Sequence, residues 1–339
     1  IALLKQKIGM YQRLDEYSLL RKIGEGGMGE VYLARHALLR RPTAVKLLRA
    51  DRSNRDDVRR FQREVQLASQ LTHPNTVEIY DYGRTDDNVF YYAMEYLPGI
   101  SLAELVELTG PVPISRVVHL LRQICGSLRE AHEIHLVHRD IKPQNVMLCN
   151  RGGEADFVKV LDFGLVKDTT TVNATETTLP SVIVGTPLYM APERLQSPGE
   201  VDARSDIYAI GAVAYYLVAG RHMFDATNQM DVVFHVINVT PDPPSEHTPY
   251  EVPPMLDRLI MDCLAKDPAA RPSSAQAVLD RLGEMTSVAP WTQREAHQWW
   301  VEHRDQLQRA TAIASLLETL PASANTLAFQ PAESAAKQK

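Results

Sequence analysis

A change of pattern at Pro98-Gly99 constrains this 339-residue chain more than any other feature. Before it, from Tyr17 to about Tyr96, short runs rich in β-branched and aromatic residues (YSLLRKI, EVYLAR, TAVKLL, TVEIYDYG, VFYYAMEY) alternate with polar or glycine-bearing turns. That pattern predicts an antiparallel sheet. One helix interrupts it, roughly Asp56 to Leu71, where Phe61, Val65, Ala68 and Leu71 recur at helical spacing and Asp56 and Asp57 suit a helix N-terminus. After Gly99, Ser115 to Glu133 and Ser205 to Val218 read as long helices with few strand signals between them. The expected fold class is therefore α+β: a small β-rich lobe, a large helical lobe, and a cleft at their junction of the kind that binds ligands.

Composition narrows the function. Hydrophobic residues make up 45% and charged residues 23% of the chain, an ordinary globular balance. A formal charge of −6 argues against a nucleic-acid surface built on a strong positive field. Cys125, Cys149 and Cys263 are odd in number and far apart, which encodes neither a disulfide framework nor a CxxC metal site and points to a reducing compartment. The longest apolar run, Ile207 to Gly220, is short of the roughly 20 residues that cross a bilayer, so a buried core helix is expected and no membrane contact. The chain starts at Ile1 with no signal-peptide pattern, and a longer parent protein is expected, with sensor regions or a membrane anchor left open.

The chemistry-bearing residues lie in three strings. Gly24-Glu25-Gly26-Gly27-Met28-Gly29-Glu30-Val31 fits G-x-G-x-x-G-x-V, in which residues lacking a Cβ let backbone N–H groups approach phosphate oxygens. A dinucleotide-binding unit uses a similar string, but here EVYLAR continues as a second strand rather than a helix, which makes the loop a hairpin lid. Lys46, in TAVKLL, would point back under that lid, and Glu64 on the predicted helix is a candidate partner that would fix its ammonium. The third string is His138-Arg139-Asp140-Ile141-Lys142-Pro143-Gln144-Asn145, followed downstream by Asp162-Phe163-Gly164. Phosphoryl transfer needs a carboxylate to take the hydroxyl proton, a cation at the transferring group and hard oxygen ligands for a metal. Asp140 can be the base, Lys142 the cation, and Asn145 with Asp162 the metal ligands.

With these strings in one order, the chain resembles the eukaryotic-type (Hanks-type) serine/threonine protein kinases, especially their bacterial branch, over about Tyr17 to Gly283. The resemblance implies a bilobal kinase fold, with a small lobe at 17–94, a hinge at 95–99 and a large lobe at 100–284; outside it the sequence reads as an N-terminal extension at 1–16, a helical extension at 285–320 and a disordered, low-complexity tail at 321–339. It implies ATP and Mg²⁺ as cofactors, with Mn²⁺ an alternative. Lys46 would hold the α- and β-phosphates with Glu64 as its partner, and Asn145 and Asp162 would bind two metal ions. Adenine would lie between Ile23, Val31 and Ala44 above and Met147 below, with Glu95 and Leu97 backbone groups reading its edge and Met94 as gatekeeper. The glycine loop, Gly24 to Gly29, would cover the phosphates.

Lys142 and the Gly185-Thr186-Pro187 string before Met190-Ala191-Pro192-Glu193 resemble the serine/threonine class, in which Thr186 bridges base and lysine. Proteins bearing Ser or Thr acceptors are the implied partners, with homodimerisation for trans-autophosphorylation and a cytoplasmic kinase portion. Glu193 would pair with Arg271, and Asp206 would hold the backbone of the 138–140 loop from beneath. Arg139 marks the family's phosphorylation-dependent class, with Arg60 and Lys167 completing an anion pocket and Thr177, Thr178 or Ser181 the expected phosphorylated positions. His138 is expected against Phe163. Trp291 to Leu320 reads as amphipathic helix packed on the large lobe, a dimerising helix being the alternative. The competing function is a pseudokinase-type nucleotide-binding scaffold, which the presence of Lys46, Asp140, Asn145 and Asp162 disfavours.

Overall fold

A computed structural model describes residues 13–14, 16–26, 29–48, 63–85, 89–163, 187–196, 201–225 and 228–307. Its small lobe is a six-stranded antiparallel sheet in the order β1-β2-β3-β4-β6-β5. The strands are β1 (Arg13–Leu14), β2 (Tyr17–Gly26), β3 (Gly29–His36), β4 (Pro42–Leu48), β5 (Ile79–Arg84) and β6 (Phe90–Glu95).

Alternation along β4 and β6 sorts the lobe into two layers. Val45 and Leu47 pack with Tyr91 and Ala93 on one face, while Ala44 and Leu48 pack with Tyr92 and Met94 on the other, facing the cleft. Because side chains alternate with period two, Lys46 falls on the cleft face, and the register sets it directly opposite Tyr92. The predicted helix is present over 63–68, ending before Leu71, and its earlier residues lie outside the described set. Val65 packs into the small lobe while Ala68 and Leu71 join the core of the large one, so this short helix spans the two.

Beyond Gly99 the chain forms a small sheet of β7 (Gly99–Ser101), β8 (Val146–Arg151) and β9 (Glu154–Val160) and a set of helices. The main ones are α3 (Ile114–Glu133) and α5 (Ala203–Ala219), with α1 assigned to 63–68, α2 to Leu102–Thr109 and α4 to Pro192–Gln196. Every residue of α5 from Ser205 to Ala219 is buried, which explains why its sequence is apolar all round rather than striped. Asp202 caps its start, and Gly220 ends it in the left-handed region at φ 67°, with its N–H on Tyr216 O at 2.9 Å. Among the described residues no helix is long and apolar enough to cross a membrane.

Two backbone bonds stitch the lobes together beside the cleft: Val77 N to Val160 O at 2.9 Å and Val160 N to Asn75 O at 2.8 Å. Past α6 (Gln229–Asn238), α7 (Pro254–Cys263) and α8 (Ala275–Gly283), α9 (Gln293–Glu302) returns to lie along β9. The proline-rich stretch from Pro241 to Pro254 carries a 3-10 turn at Pro244–His247, and Pro254 opens α7, where a missing N–H costs nothing. Residues 308–339, including the expected tail, lie outside the described residues.

Candidate active site

The cleft between the lobes has a volume of about 440 Å³. The small-lobe strands supply Ile23, Gly24, Glu25, Gly26, Gly29, Val31, Ala44 and Lys46 to its wall. Met94 and Glu95 come from the end of β6, Leu97 from the connection, and Asp140, Lys142, Asn145, Met147 and Asp162 from the large lobe. Of the residues singled out for nucleotide contact, only Gly27 and Met28 lie outside the described set. Tyr96, Gln144 and Leu161 line the same cleft and carried no signal in the sequence.

Gly26 and Gly29 face each other across the β2–β3 hairpin, so the glycine string is a strand turn and not the start of a helix. Gly29 is obligatory for a local reason, since a Cβ there would meet Leu47 O at 1.9 Å. At the connection, the N–H of Glu95 donates to Glu78 O at 3.0 Å, which leaves its carbonyl as the group it can offer a ligand edge. The Glu95 carboxylate turns away and is gripped by Lys159 at 2.5 Å and by Arg151.

The 138–145 loop is held from below. Asp206, at the start of α5, accepts from His138 N at 2.8 Å and Arg139 N at 2.9 Å, and His132 Nε2 lies 2.8 Å from the same carboxylate. Burial alone would raise the Asp206 pKa, but the bond from His132, the charge beside it and the backbone donors outweigh that and hold it below the ordinary carboxylate value. Arg139 sits at φ 67°, a left-handed conformation that costs a non-glycine residue about 1–3 kcal/mol and persists because the surroundings over-determine it. Arg194 secures the loop further by donating to Arg139 O. His138 Nε2 reaches Leu161 O at 2.7 Å, and its ring lies 4.6 Å from that of Phe163.

On this platform Asp140 and Asn145 are set by each other. Lys142 Nζ bonds Asp140 Oδ2 at 2.7 Å, and Asn145 Nδ2 bonds the same oxygen at 2.9 Å and Asp140 O at 2.8 Å. These bonds use neither Asp140 Oδ1 nor Asn145 Oδ1.

Lys46 departs from expectation. Its Nζ pairs with Asp162 Oδ2 at 2.6 Å, whereas Glu64, the expected partner, accepts from Arg139 Nη1 at 3.3 Å. Asp162 takes the lysine, and Arg139 is among the groups that Glu64 meets. Tyr92, unnoticed in the sequence, donates its hydroxyl to Asp162 Oδ1 at 2.5 Å. Burial would raise the Asp162 pKa, yet the Lys46 charge and the bonds from Lys46 and Tyr92 depress it, so the carboxylate is anionic. The Tyr92 phenol is pushed the other way, first by burial and then by that anion, and stays a neutral donor.

The donor set fits a hard divalent cation: Asp162 uses two of its roughly four lone-pair sites, and Asn145 adds a neutral carbonyl oxygen. Glu193 and Arg271 form the expected pair with two bonds, at 2.8 and 2.7 Å, and Ser205 Oγ donates to Glu193 at 2.7 Å. Thr186, Thr177, Thr178, Ser181, Arg60, Lys167 and Gly164 lie outside the described residues.

A glycine hairpin over a lysine, facing an Asp-Lys-Asn loop and a second aspartate across a two-lobed cleft, is the arrangement of the protein kinase class. Residues 17–282 match the protein kinase domain family, and the chain belongs to it. Among curated relatives it is 38% identical over 265 residues to the serine/threonine-protein kinase pkn3 of Myxococcus xanthus, covering 77% of this chain and 48% of that protein. It is 37% identical over 261 residues to the serine/threonine-protein kinase PrkC of Bacillus subtilis, covering 77% of this chain and 39% of the other. The chain thus spans half or less of the length of these two relatives. Among solved structures it resembles the crystal structure of the Mycobacterium tuberculosis PknI kinase domain, with a TM-score of 0.62 at 29% identity, over 80% of this chain and 96% of that one.

Proposed function

We propose that this chain is a serine/threonine protein kinase that moves the γ-phosphoryl group of ATP to a hydroxyl of a protein substrate. The observation that carries the reading is that Lys46, Asp140, Lys142, Asn145 and Asp162, drawn from distant stretches, line one cleft. The acceptor oxygen attacks the γ-phosphorus, the bond to the β,γ-bridging oxygen breaks with ADP leaving, and the hydroxyl proton passes to Asp140 Oδ1. Lys142 and Asn145 hold the other oxygen of that base and so aim it. Lys142 also places a positive charge beside the group in transfer. Ile23, Val31, Ala44 and Met147 enclose the base of the nucleotide, and Lys46 answers its phosphates. Asp162 and Asn145 would hold Mg²⁺, which when bound neutralises phosphate charge.

The reading extends to control. A phosphate on Thr177, Thr178 or Ser181 would compete with Glu64 for Arg139. Phosphorylation between two copies of the chain would supply it. The cheapest test of the whole is transfer of labelled phosphate to a generic basic protein by wild type and by Asp140→Asn. A loss of about 10²–10⁴-fold is expected, the usual contribution of a positioned general base. Equal incorporation by both would remove Asp140 from its role.

A further inference from the structure

Tyr92 belongs to no motif, yet its hydroxyl is hydrogen-bonded to a candidate metal ligand. Its ring is 1% exposed on β6, directly across the β4–β6 ladder from Lys46. Its hydroxyl donates to Asp162 Oδ1 at 2.5 Å while Lys46 holds Oδ2 at 2.6 Å. Both oxygens of one carboxylate are therefore fixed by neighbouring positions on paired strands, each with one donor. A carboxylate offers about four lone-pair sites, so two remain. Those two have a set direction only because the others are pinned.

The pinning has something to resist. Asp162 lies just past the end of β9 with a left-handed φ of 60°, outside any ladder that would hold its backbone. A lone Lys46 contact would leave the carboxylate free to swing about the ammonium, whose three donors rotate. The buried Tyr92 ring cannot follow such a swing, so its hydroxyl sets the plane of the carboxyl group.

We infer that Tyr92 is a positioning residue for the divalent cation: it orients the free lone pairs of Asp162 into the cleft and thereby sets metal affinity. The inference rests on the proposed phosphotransferase reading and deepens it. Partners of this kind, hydrogen-bonded behind a metal ligand, are worth about 10–100-fold in metal affinity. Tyr92→Phe removes only the hydroxyl and keeps the ring, so the packing of β6 is undisturbed.

The test is binding of Mn²⁺ as a spin probe, titrated into wild type and Tyr92→Phe in the presence of a non-hydrolysable ATP analogue, with thermal unfolding of both metal-free proteins alongside. The expected result is Mn²⁺ affinity weakened by 10-fold or more in Tyr92→Phe, an altered bound-Mn²⁺ spectrum, and a cooperative melt retained. Turnover should follow suit, with the metal concentration at half-maximal rate raised and the rate at saturating metal largely recovered. Equal or tighter Mn²⁺ binding by the variant overturns the inference while leaving the kinase reading intact, because a purely structural hydroxyl would move the melt and not the metal. No Mn²⁺ binding by wild type with nucleotide overturns the kinase reading itself, and the inference with it.

Discussion

Asp156 and Asp162 occupy the same stretch of chain, one within β9 and one just beyond it, and both adopt left-handed backbone, at φ 56° and 60°. Each is paired with a cation from another element. Their fates differ in how completely they are satisfied. Asp156 accepts two bonds from Arg116, both at 2.8 Å, and two from indole N–H groups, Trp291 at 2.8 Å and Trp300 at 2.9 Å. Its side chain is 0% exposed, and the Arg116 guanidinium is covered by the Trp299 ring at 4.1 Å. Asp162 has two donors, and 19% of its side chain opens to the cleft. A saturated, covered carboxylate is a structural rivet, while a half-satisfied one at a cleft wall is available for chemistry.

The sharpest way to break this distinction is to neutralise each carboxylate in turn and compare. Asp162→Asn should lower phosphoryl transfer by about 10³-fold or more while the fold is retained, since an amide oxygen can still accept from Lys46 and electrostatic positioning supplies most of the catalysis. A steady-state assay beside a thermal melt reads it; a loss under tenfold would mean Asp162 is no more available than Asp156. Asp156→Ala should do the reverse. It strands a buried guanidinium and two indole donors, at a cost of about 3–5 kcal/mol in urea unfolding, with the rate per folded molecule little changed.

A finer cut separates the rivet into its parts. Trp300→Phe deletes one of four bonds to Asp156 and should cost about 1.5–3 kcal/mol, the range for a hydrogen bond to a charged group. Trp291, Trp299 and Trp300 are the only tryptophans in the chain, so fluorescence excited selectively in tryptophan reports this corner alone. If α9 is integral to the large lobe, fluorescence and circular dichroism will give one coincident unfolding curve. An earlier fluorescence transition would show the α9 segment undocking by itself.

Much of the cleft was legible in the sequence because its charges come in strings with fixed order, and the strand alternation that turns Lys46 inward is visible as TAVKLL. The buried helix at 203–219 followed from a similarly local signal, whereas the Glu193–Arg271 pair was expected only from the family resemblance. What could not be read was partner choice. The sequence offered Glu64 as the partner of Lys46, and the distances give Asp162 instead. Tyr92 was hidden because a tyrosine in an apolar strand reads as packing, and its hydroxyl acts only through a fold that brings Asp162 beneath it. The Asp156 cluster was hidden for a different reason. Arg116, Asp156 and Trp300 are far apart in sequence, and the tryptophans satisfy a helical apolar pattern without revealing that their N–H groups are donors.

The smallest expected effect belongs to a third carboxylate, intermediate in kind. Glu130 on α3 accepts from Thr72 N at 2.9 Å, Thr72 Oγ1 at 2.7 Å and His73 N at 2.8 Å, tying the loop after α1 to the large lobe at a partly exposed site. Burial nudges its pKa up, but the Thr72 and His73 donors outweigh that and depress it below the ordinary glutamate value. A depressed folded pKa means the contribution is fully present above the unfolded value of about 4.3 and is lost as pH falls through the folded one. Solvent screening holds it to about 1 kcal/mol or less. The urea midpoint of wild type should therefore fall toward that of Glu130→Gln as pH drops below about 4, the gap being widest above pH 5. A gap independent of pH would mean that the three donors hold the glutamine as well as the glutamate, and that charge at this partly wet site contributes nothing to joining the lobes.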